Sequence, residues 1–238
     1  MKRLIVITAI ALVAFASCET EDSIDGKSNP SIEFNEKLTY GTMTDQNGNT
    51  YKTIQIGTQT WMAENLRTTN YNDGTPILSV SDLSTWGTLT TGAASTVNKT
   101  TKSDSILLYG RYYNWYAVNS QKLAPAGWHI PTYNEITTLI SFLGGEAVAG
   151  GKLKEAGTKH WKADNLGATN ESGYTALPAG YLSASGYFES VGSGAYFWCK
   201  DAYGVYTAWD IYLFYNSAAL VRNFNYKTSG FSVRCVKD

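Results

Sequence analysis

Pro131-Thr132-Tyr133-Asn134-Glu135-Ile136-Thr137-Thr138-Leu139-Ile140-Ser141-Phe142-Leu143-Gly144-Gly145 is the stretch that decides the fold class. Thr132 and Glu135 have the spacing of a capping box, in which a hydroxyl and a carboxylate each satisfy a backbone donor orphaned by the first helical turn. Ile136, Leu139, Ile140 and Leu143 recur at i, i+3, i+4 and i+7, forming one apolar stripe. Gly144-Gly145 closes the helix with residues that tolerate left-handed geometry. An amphipathic helix of this kind has to lie on an apolar surface, and the chain on either side supplies strands.

Toward the N-terminus, Leu38–Thr42, Tyr51–Ile56 and Gln59–Ala63 read as strands. Asp45-Gln46-Asn47-Gly48-Asn49 between the first two reads as a hairpin turn, because Asn-Gly accepts the positive φ angles such turns require. The same string superficially resembles a calcium loop, but its glycine is misplaced and no acid closes it. Asn72-Asp73-Gly74 is another turn. Residues 79–105 are Ser/Thr-rich, with Trp86 isolated among them, and read as a long surface loop. Toward the C-terminus a second, shorter helix is expected over Gly151–Ala156. Beyond it the strongest strands are Tyr174–Pro178, Ala195–Cys199, Tyr206–Phe214 and Phe231–Val236. No repeat of fixed period stands out. The expectation is one α+β domain over 38–238, with a twisted antiparallel sheet, one or two short helices and long irregular loops.

The 238 residues are 43% hydrophobic, 13% aromatic and 16% charged, with a net charge of −1. Charge is low against the roughly 25% of an average domain. An aromatic-rich, nearly neutral chain is not disordered throughout, and no basic stripe suits it to nucleic acid. With 17 Tyr, 7 Trp and 22 Gly it reads as a turn-rich extracellular β protein.

The first residues agree. Lys2 and Arg3 precede a run from Leu4 to Phe15 that is apolar apart from Thr8, the length of a signal-peptide core. Phe15-Ala16-Ser17-Cys18 resembles a bacterial lipoprotein signal, cleaved so that a lipidated Cys18 becomes the N-terminus. The alternative is an ordinary signal peptide cut near Ala16. The expected organisation is signal 1–17, lipidated start and flexible tether 18–37, then the domain. The membrane is then a partner through the lipid on Cys18, and the location is the outer membrane, facing the cell surface. The acids after Cys18 either resemble surface-export signals of Bacteroidetes lipoproteins or form a plain solvated linker. Cys199 and Cys235 remain, in apolar β-like segments. In an oxidising compartment they either pair as one disulfide, the favoured expectation, or stay as two buried thiols.

Several strings resemble the Fibrobacter succinogenes major paralogous domain, a family of Bacteroidetes and Fibrobacteres surface proteins. They include Ile56-Gly57-Thr58-Gln59-Thr60-Trp61-Met62-Ala63-Glu64-Asn65-Leu66-Arg67, Tyr109-Gly110-Arg111-Tyr112-Tyr113-Asn114-Trp115-Tyr116-Ala117-Val118, Ala124-Pro125-Ala126-Gly127-Trp128-His129-Ile130-Pro131-Thr132 and Gly230-Phe231-Ser232-Val233-Arg234-Cys235. They run in order over nearly the whole domain. Two departures are Phe197-Trp198-Cys199-Lys200, where the family more often follows its aromatics with serines, and the length of the Ser/Thr-rich stretch before Tyr109. The resemblance implies a C-type-lectin-like fold, related also to formylglycine-generating enzymes, with the opening strands near the closing one. It carries little about activity.

No catalytic motif is assembled. His129 and His160 are too few for a three-histidine iron site, and each reads as a hydrogen-bonded structural histidine, so no metal or cofactor is expected. The acids Glu171, Glu189, Asp201 and Asp210 make a glycosidase pair only if the fold sets two of them at the right separation. Cys235 invites comparison with the reactive cysteines of formylglycine-generating enzymes. Trp61, Trp115, Trp128 and Trp198 read as core. Trp86, Tyr187, Tyr203 and Tyr206, in polar or Gly-rich segments, are the candidate ligand-binding residues, since Tyr and Trp offer flat faces that stack on sugars and on protein partners. The function expected is a non-catalytic surface lipoprotein for binding or adhesion, to a polysaccharide or a protein partner. The alternatives are an enzyme of the formylglycine-generating type or a hydrolase, and a purely structural envelope protein.

Overall fold

The computed structural model describes residues 32–238. The expected signal segment, the Cys18 lipidation site and the tether through residue 31 lie outside the described residues. The packed body starts before residue 38. Ile32 is buried, Glu33 N donates to Glu155 Oε1 at 2.9 Å, and Asn35 Nδ2 donates to Asn170 O at 3.0 Å. The last part of the expected tether is thus laid against the domain.

In chain order the strands are β1 (Gly41–Thr44), β2 (Thr50–Ile56), β3 (Gln59–Met62), β4 (Leu78–Ser79), β5 (Ala93–Ser95), β6 (Tyr112–Asn114), β7 (Trp128–His129), β8 (Tyr181–Leu182), β9 (Phe188–Glu189), β10 (Gly194–Ala202), β11 (Thr207–Phe214), β12 (Leu220–Tyr226), β13 (Gly230–Phe231) and β14 (Val236–Lys237). The α-helices are α1 (Ser103–Tyr109), α2 (Trp115–Asn119), α3 (Tyr133–Phe142) and α4 (Glu146–Leu153). Three sheets result, ordered β1-β2-β3-β14-β7, β10-β11-β12 and β4-β5-β6-β13-β8-β9. All pairs are antiparallel except β4 with β5. The chain is α+β, as its sequence pattern requires.

Helix α3 carries the expected capping box, with Thr132 Oγ1 accepting from Glu135 N and Glu135 Oε2 accepting from Thr132 N at 2.8 Å. Its stripe of Ile136, Leu139, Ile140 and Leu143 is buried in the first apolar cluster with Phe197, Ile211 and Leu213. The middle of β10-β11-β12 separates two clusters by simple alternation. Phe197, Ile211 and Leu213 face the helices, while Trp198 and Ala208 face the second cluster around Tyr113, Trp115 and Phe231. The hairpin at 45–49 also forms, with Thr44 opposite Thr50. The Asp45 carboxylate accepts from Asn47 N, Asn49 N and Tyr51 Oη.

Five expectations need correction. The second helix is Glu146–Leu153, not Gly151–Ala156. Gly150 and Gly151 lie inside it because a Cβ on either would stand 2.2 Å from a backbone oxygen, that of Ala219 or Gly167. Tyr174–Pro178 is not a strand: Thr175 has φ +55, and Ala176 holds only an isolated bridge to Lys154. The closing strand is two. Gly230–Phe231 pairs in one sheet and Val236–Lys237 in another, while Val233 O and Cys235 O accept from Leu66 N and Met62 N during the crossing. Trp128 is half-buried, whereas Trp61, Trp115 and Trp198 are core. Finally, the segment 79–105 is not a plain surface loop. It contains two 3-10 turns (Leu83–Thr88 and Val97–Lys99) and β5, and they close a third apolar cluster around Trp86, Tyr112 and Leu182. The opening and closing strands do meet, Val236 pairing with Trp61.

Arg234 pins the irregular 174–175 segment. Fully buried, it donates from Nε to Asn65 Oδ1 at 2.8 Å, from Nη2 to Thr175 O at 3.0 Å and from Nη1 to Tyr174 O. Its guanidinium lies 4.3 Å from the Tyr174 ring centroid, within cation–π range.

Candidate functional site

The three-stranded sheet runs out of the core at one end, and aromatic residues crowd there. Register puts Trp209 opposite Phe224 and Thr207 opposite Tyr226. These side chains share the face that, farther along, buries Ile211 and Leu213. The connection from β10 to β11 adds Tyr203, Val205 and Tyr206. Tyr203 stacks on Phe224 with centroids 4.0 Å apart and planes 13° from parallel. It meets Trp209 edge-on at 4.8 Å, and Trp209 contacts Tyr133 at 4.6 Å. Outward of this cluster Val205, Tyr206 and Tyr226 are 80%, 73% and 61% exposed.

The tip is braced. Tyr203 N and Gly204 N both donate to Thr207 O at 3.0 Å. Lys227 N donates to Tyr206 O at 2.9 Å, and its Nζ donates to Gly204 O at 3.0 Å and to Val205 O at 2.9 Å. The same ammonium lies 4.5 Å from the Trp115 ring centroid. On the helix side Arg222 stands 5.0 Å from the Tyr133 ring and donates to Glu146 Oε1 at 2.6 Å. The arrangement offers a fixed, mostly apolar surface edged by phenol hydroxyls.

Of the four candidate aromatics, Tyr203 and Tyr206 come together here. Tyr187 is exposed but belongs to the β8–β9 hairpin of a different sheet. Trp86 is corrected: it is 0% exposed, and a Cβ on Gly230 would stand 2.8 Å from its ring. Phe224 and Tyr226 escaped the sequence reading because β12 itself did. The signal was present, since Phe224 and Tyr226 alternate with Asn223 and Asn225.

Cys199 and Cys235 are free and buried, the second of the two alternatives, because they belong to different apolar clusters. Burial pushes both thiols well above the ordinary thiol range. Cys235 is buried, whereas the reactive cysteines it invites comparison with call for a partly exposed thiolate. The four acids are engaged separately. Glu171 pairs with Lys152 at 2.8 Å, Glu189 accepts from Tyr181 Oη at 2.7 Å, and Asp201 accepts from Tyr133 N at 2.6 Å. Asp210 is fully buried, with Oδ1 accepting from Asn225 Nδ2 at 2.9 Å and Oδ2 without a partner. Desolvation lifts its carboxyl to about 7 against the Asn225 hydrogen bond.

His129 sits between two carboxylates, Nδ1 at 2.6 Å from Asp238 Oδ1 and Nε2 at 2.7 Å from Glu135 Oε1. With both carboxylates ionised, the two contacts are satisfied together only by an imidazolium. Partial burial alone would lower its pKa; the two carboxylate contacts outweigh it and the net direction is upward. This clamp joins the segment after β14 to the start of α3. His160 donates to or accepts from Glu155 at 2.7 Å in a buried pair. Among the described residues no group of three or more His, Cys, Asp or Glu is placed to hold a metal, and no helix is long and apolar enough to cross a membrane.

The family model described as Fibrobacter succinogenes major domain matches residues 54–237. No curated protein and no solved structure matches the chain.

Proposed function

The chain belongs to the Fibrobacter succinogenes major domain family, and from that premise we propose a non-catalytic, surface-anchored binding module that stacks sugar rings on the aromatic end of β10-β11-β12. Membership names a domain and no reaction, so the reading rests on the site. The observation that carries it is the Tyr203–Phe224 stack at the end of the sheet, where Tyr206 and Tyr226 are each well over half exposed. Exposed aromatics gathered at one braced end of a sheet mark a surface that something covers. Tyr combines a flat apolar face with a hydroxyl, which suits the apolar faces and ring hydroxyls of a polysaccharide.

Anchorage to the outer membrane with the domain facing outward is the companion proposal. It is supported by Lys2-Arg3, the apolar Leu4–Phe15 and the position of Cys18. The finer fold assignment, a C-type-lectin-like arrangement, is proposed on the meeting of β3 and β14 and on the capped helix α3 beside the sheets. A glycan-array screen of the full-length protein tests the binding reading. Saturable binding to a glycan set that is lost in Tyr206→Ala supports it. Binding confined to matrix proteins replaces the sugar by a protein partner, and binding unchanged in Tyr206→Ala removes the tip from the account.

A further inference from the structure

The segment 79–111 lines an open pocket of about 280 Å³ away from the aromatic tip. Its wall includes Ser79, Ser95, Thr96 and Thr101, with two cations, Lys99 and Arg111, and no acid. The size is near the lower end of small-molecule pockets and suits one ring rather than a chain.

The chemistry of the wall is specific. Ser95 Oγ donates to Val80 O at 2.9 Å and Thr96 Oγ1 donates to Thr100 O at 2.7 Å. With their protons committed, these two buried hydroxyls have only lone pairs to offer, so toward them a ligand must bring donors. Arg111 is held through Nε, which donates to Arg67 O at 3.2 Å. Among the described residues neither Arg111 nor Lys99 joins a salt bridge. Asp82, within Coulombic reach of Lys99, is outside the wall and accepts from Ser84 N and Oγ. Lys99 has φ +55 directly after Asn98 at φ +50. Asn tolerates that region; Lys has no side-chain reason to adopt it and is strained there. The turn holding it closes through Lys99 N to Thr96 O and Thr100 N to Val97 O, both at 3.0 Å. Unpaired cations ask for an anion, and proton-committed hydroxyls ask for a polyol.

We propose that this pocket binds a single sugar-acid ring, a hexuronate, with its carboxylate on Arg111 and Lys99 and its hydroxyls donating to Ser95 and Thr96. The site is independent of the aromatic tip, and either can fail without the other.

Calorimetric titration of the full-length protein with glucuronate and galacturonate tests it, with glucose and inorganic sulfate as comparators. At least one hexuronate should bind saturably while glucose and sulfate do not compete. Lys99→Gln should weaken binding about tenfold, the cost of one charge-assisted contact. Lys99 is exposed, so an unchanged melting temperature separates this loss from misfolding. Arg111→Lys, which keeps the charge and loses the planar fork, should also weaken binding. Failure of both hexuronates, glucose binding as tightly, sulfate binding as tightly, or full affinity in Lys99→Gln would each overturn the proposal.

Discussion

The ring of Tyr203 lies on the ring of Phe224, centroids 4.0 Å apart and nearly parallel. One residue comes from the connection after β10 and the other from β12, with β11 running between. The stack therefore spans the end of the sheet, where Tyr206 and Tyr226 are also exposed.

Lys227 latches this end of the sheet. Lys227→Met keeps the aliphatic stem and removes both hydrogen bonds to the 204–205 carbonyls. Because the ammonium is partly in water, the expected loss of global stability is small, about 1 kcal/mol. Amide exchange at Gly204 should accelerate more than exchange in β11. Unchanged protection at Gly204 would show that the tip is held by ring packing alone.

Arg234→Met is expected to be severe. It leaves Asn65 Oδ1, Tyr174 O and Thr175 O without their buried donor. Each buried acceptor left unpaired costs about 1–3 kcal/mol, so the variant should lose several kcal/mol. Urea unfolding measures it, and a loss under about 1 kcal/mol would mean that the 174–175 segment finds other partners.

The His129 clamp makes stability fall toward alkaline pH. The folded-state pKa lies above the ordinary 6.5. Below the ordinary value the ring is charged in both folded and unfolded chains and the contacts contribute fully. As pH rises through the folded-state value, the proton leaves and the contribution is lost. The stability difference between wild type and His129→Gln should be larger near about pH 6 than near about pH 9. An equal difference at both would mean that Asp238 and Glu135 do not hold the imidazolium.

Asp210 acts through a different proton. Its folded-state carboxyl titrates near 7, against 3.8 ordinarily. Between those values the folded state binds the extra proton, so stability falls as pH rises through that window. Asp210→Asn keeps the acceptor for Asn225 and removes the charge. It should flatten the fall and stabilise the protein above about pH 7. A substitution that destabilises there would show that the ionised carboxylate has a partner the geometry does not reveal.

What the sequence made legible was local. The Thr132–Glu135 box, the Ile136–Leu143 stripe and the 45–49 turn depend on residues a few positions apart, and each forms as its spacing requires. What it hid depends on partners far along the chain. Trp86 sits in a polar segment yet is buried because Tyr112 and Leu182 arrive from elsewhere. Cys199 and Cys235 both lie in apolar segments, and only the three-dimensional placement of those segments puts them in different clusters. Half of the tip was legible, since Tyr203 and Tyr206 flank Gly204 in a turn-rich stretch. Phe224 and Tyr226 join them only through the β11–β12 register.

The central claim, that the exposed aromatic end of the sheet is a sugar platform, is tested most directly by calorimetry. The full-length protein is titrated with the glycan that binds best on the array, alongside the double variant Tyr206→Ala, Tyr226→Ala. Both side chains are exposed, so the variant should keep the wild-type melting temperature while its affinity falls by about tenfold or more, as when binding-site anchors are truncated. Wild-type affinity in a folded double variant would contradict the account.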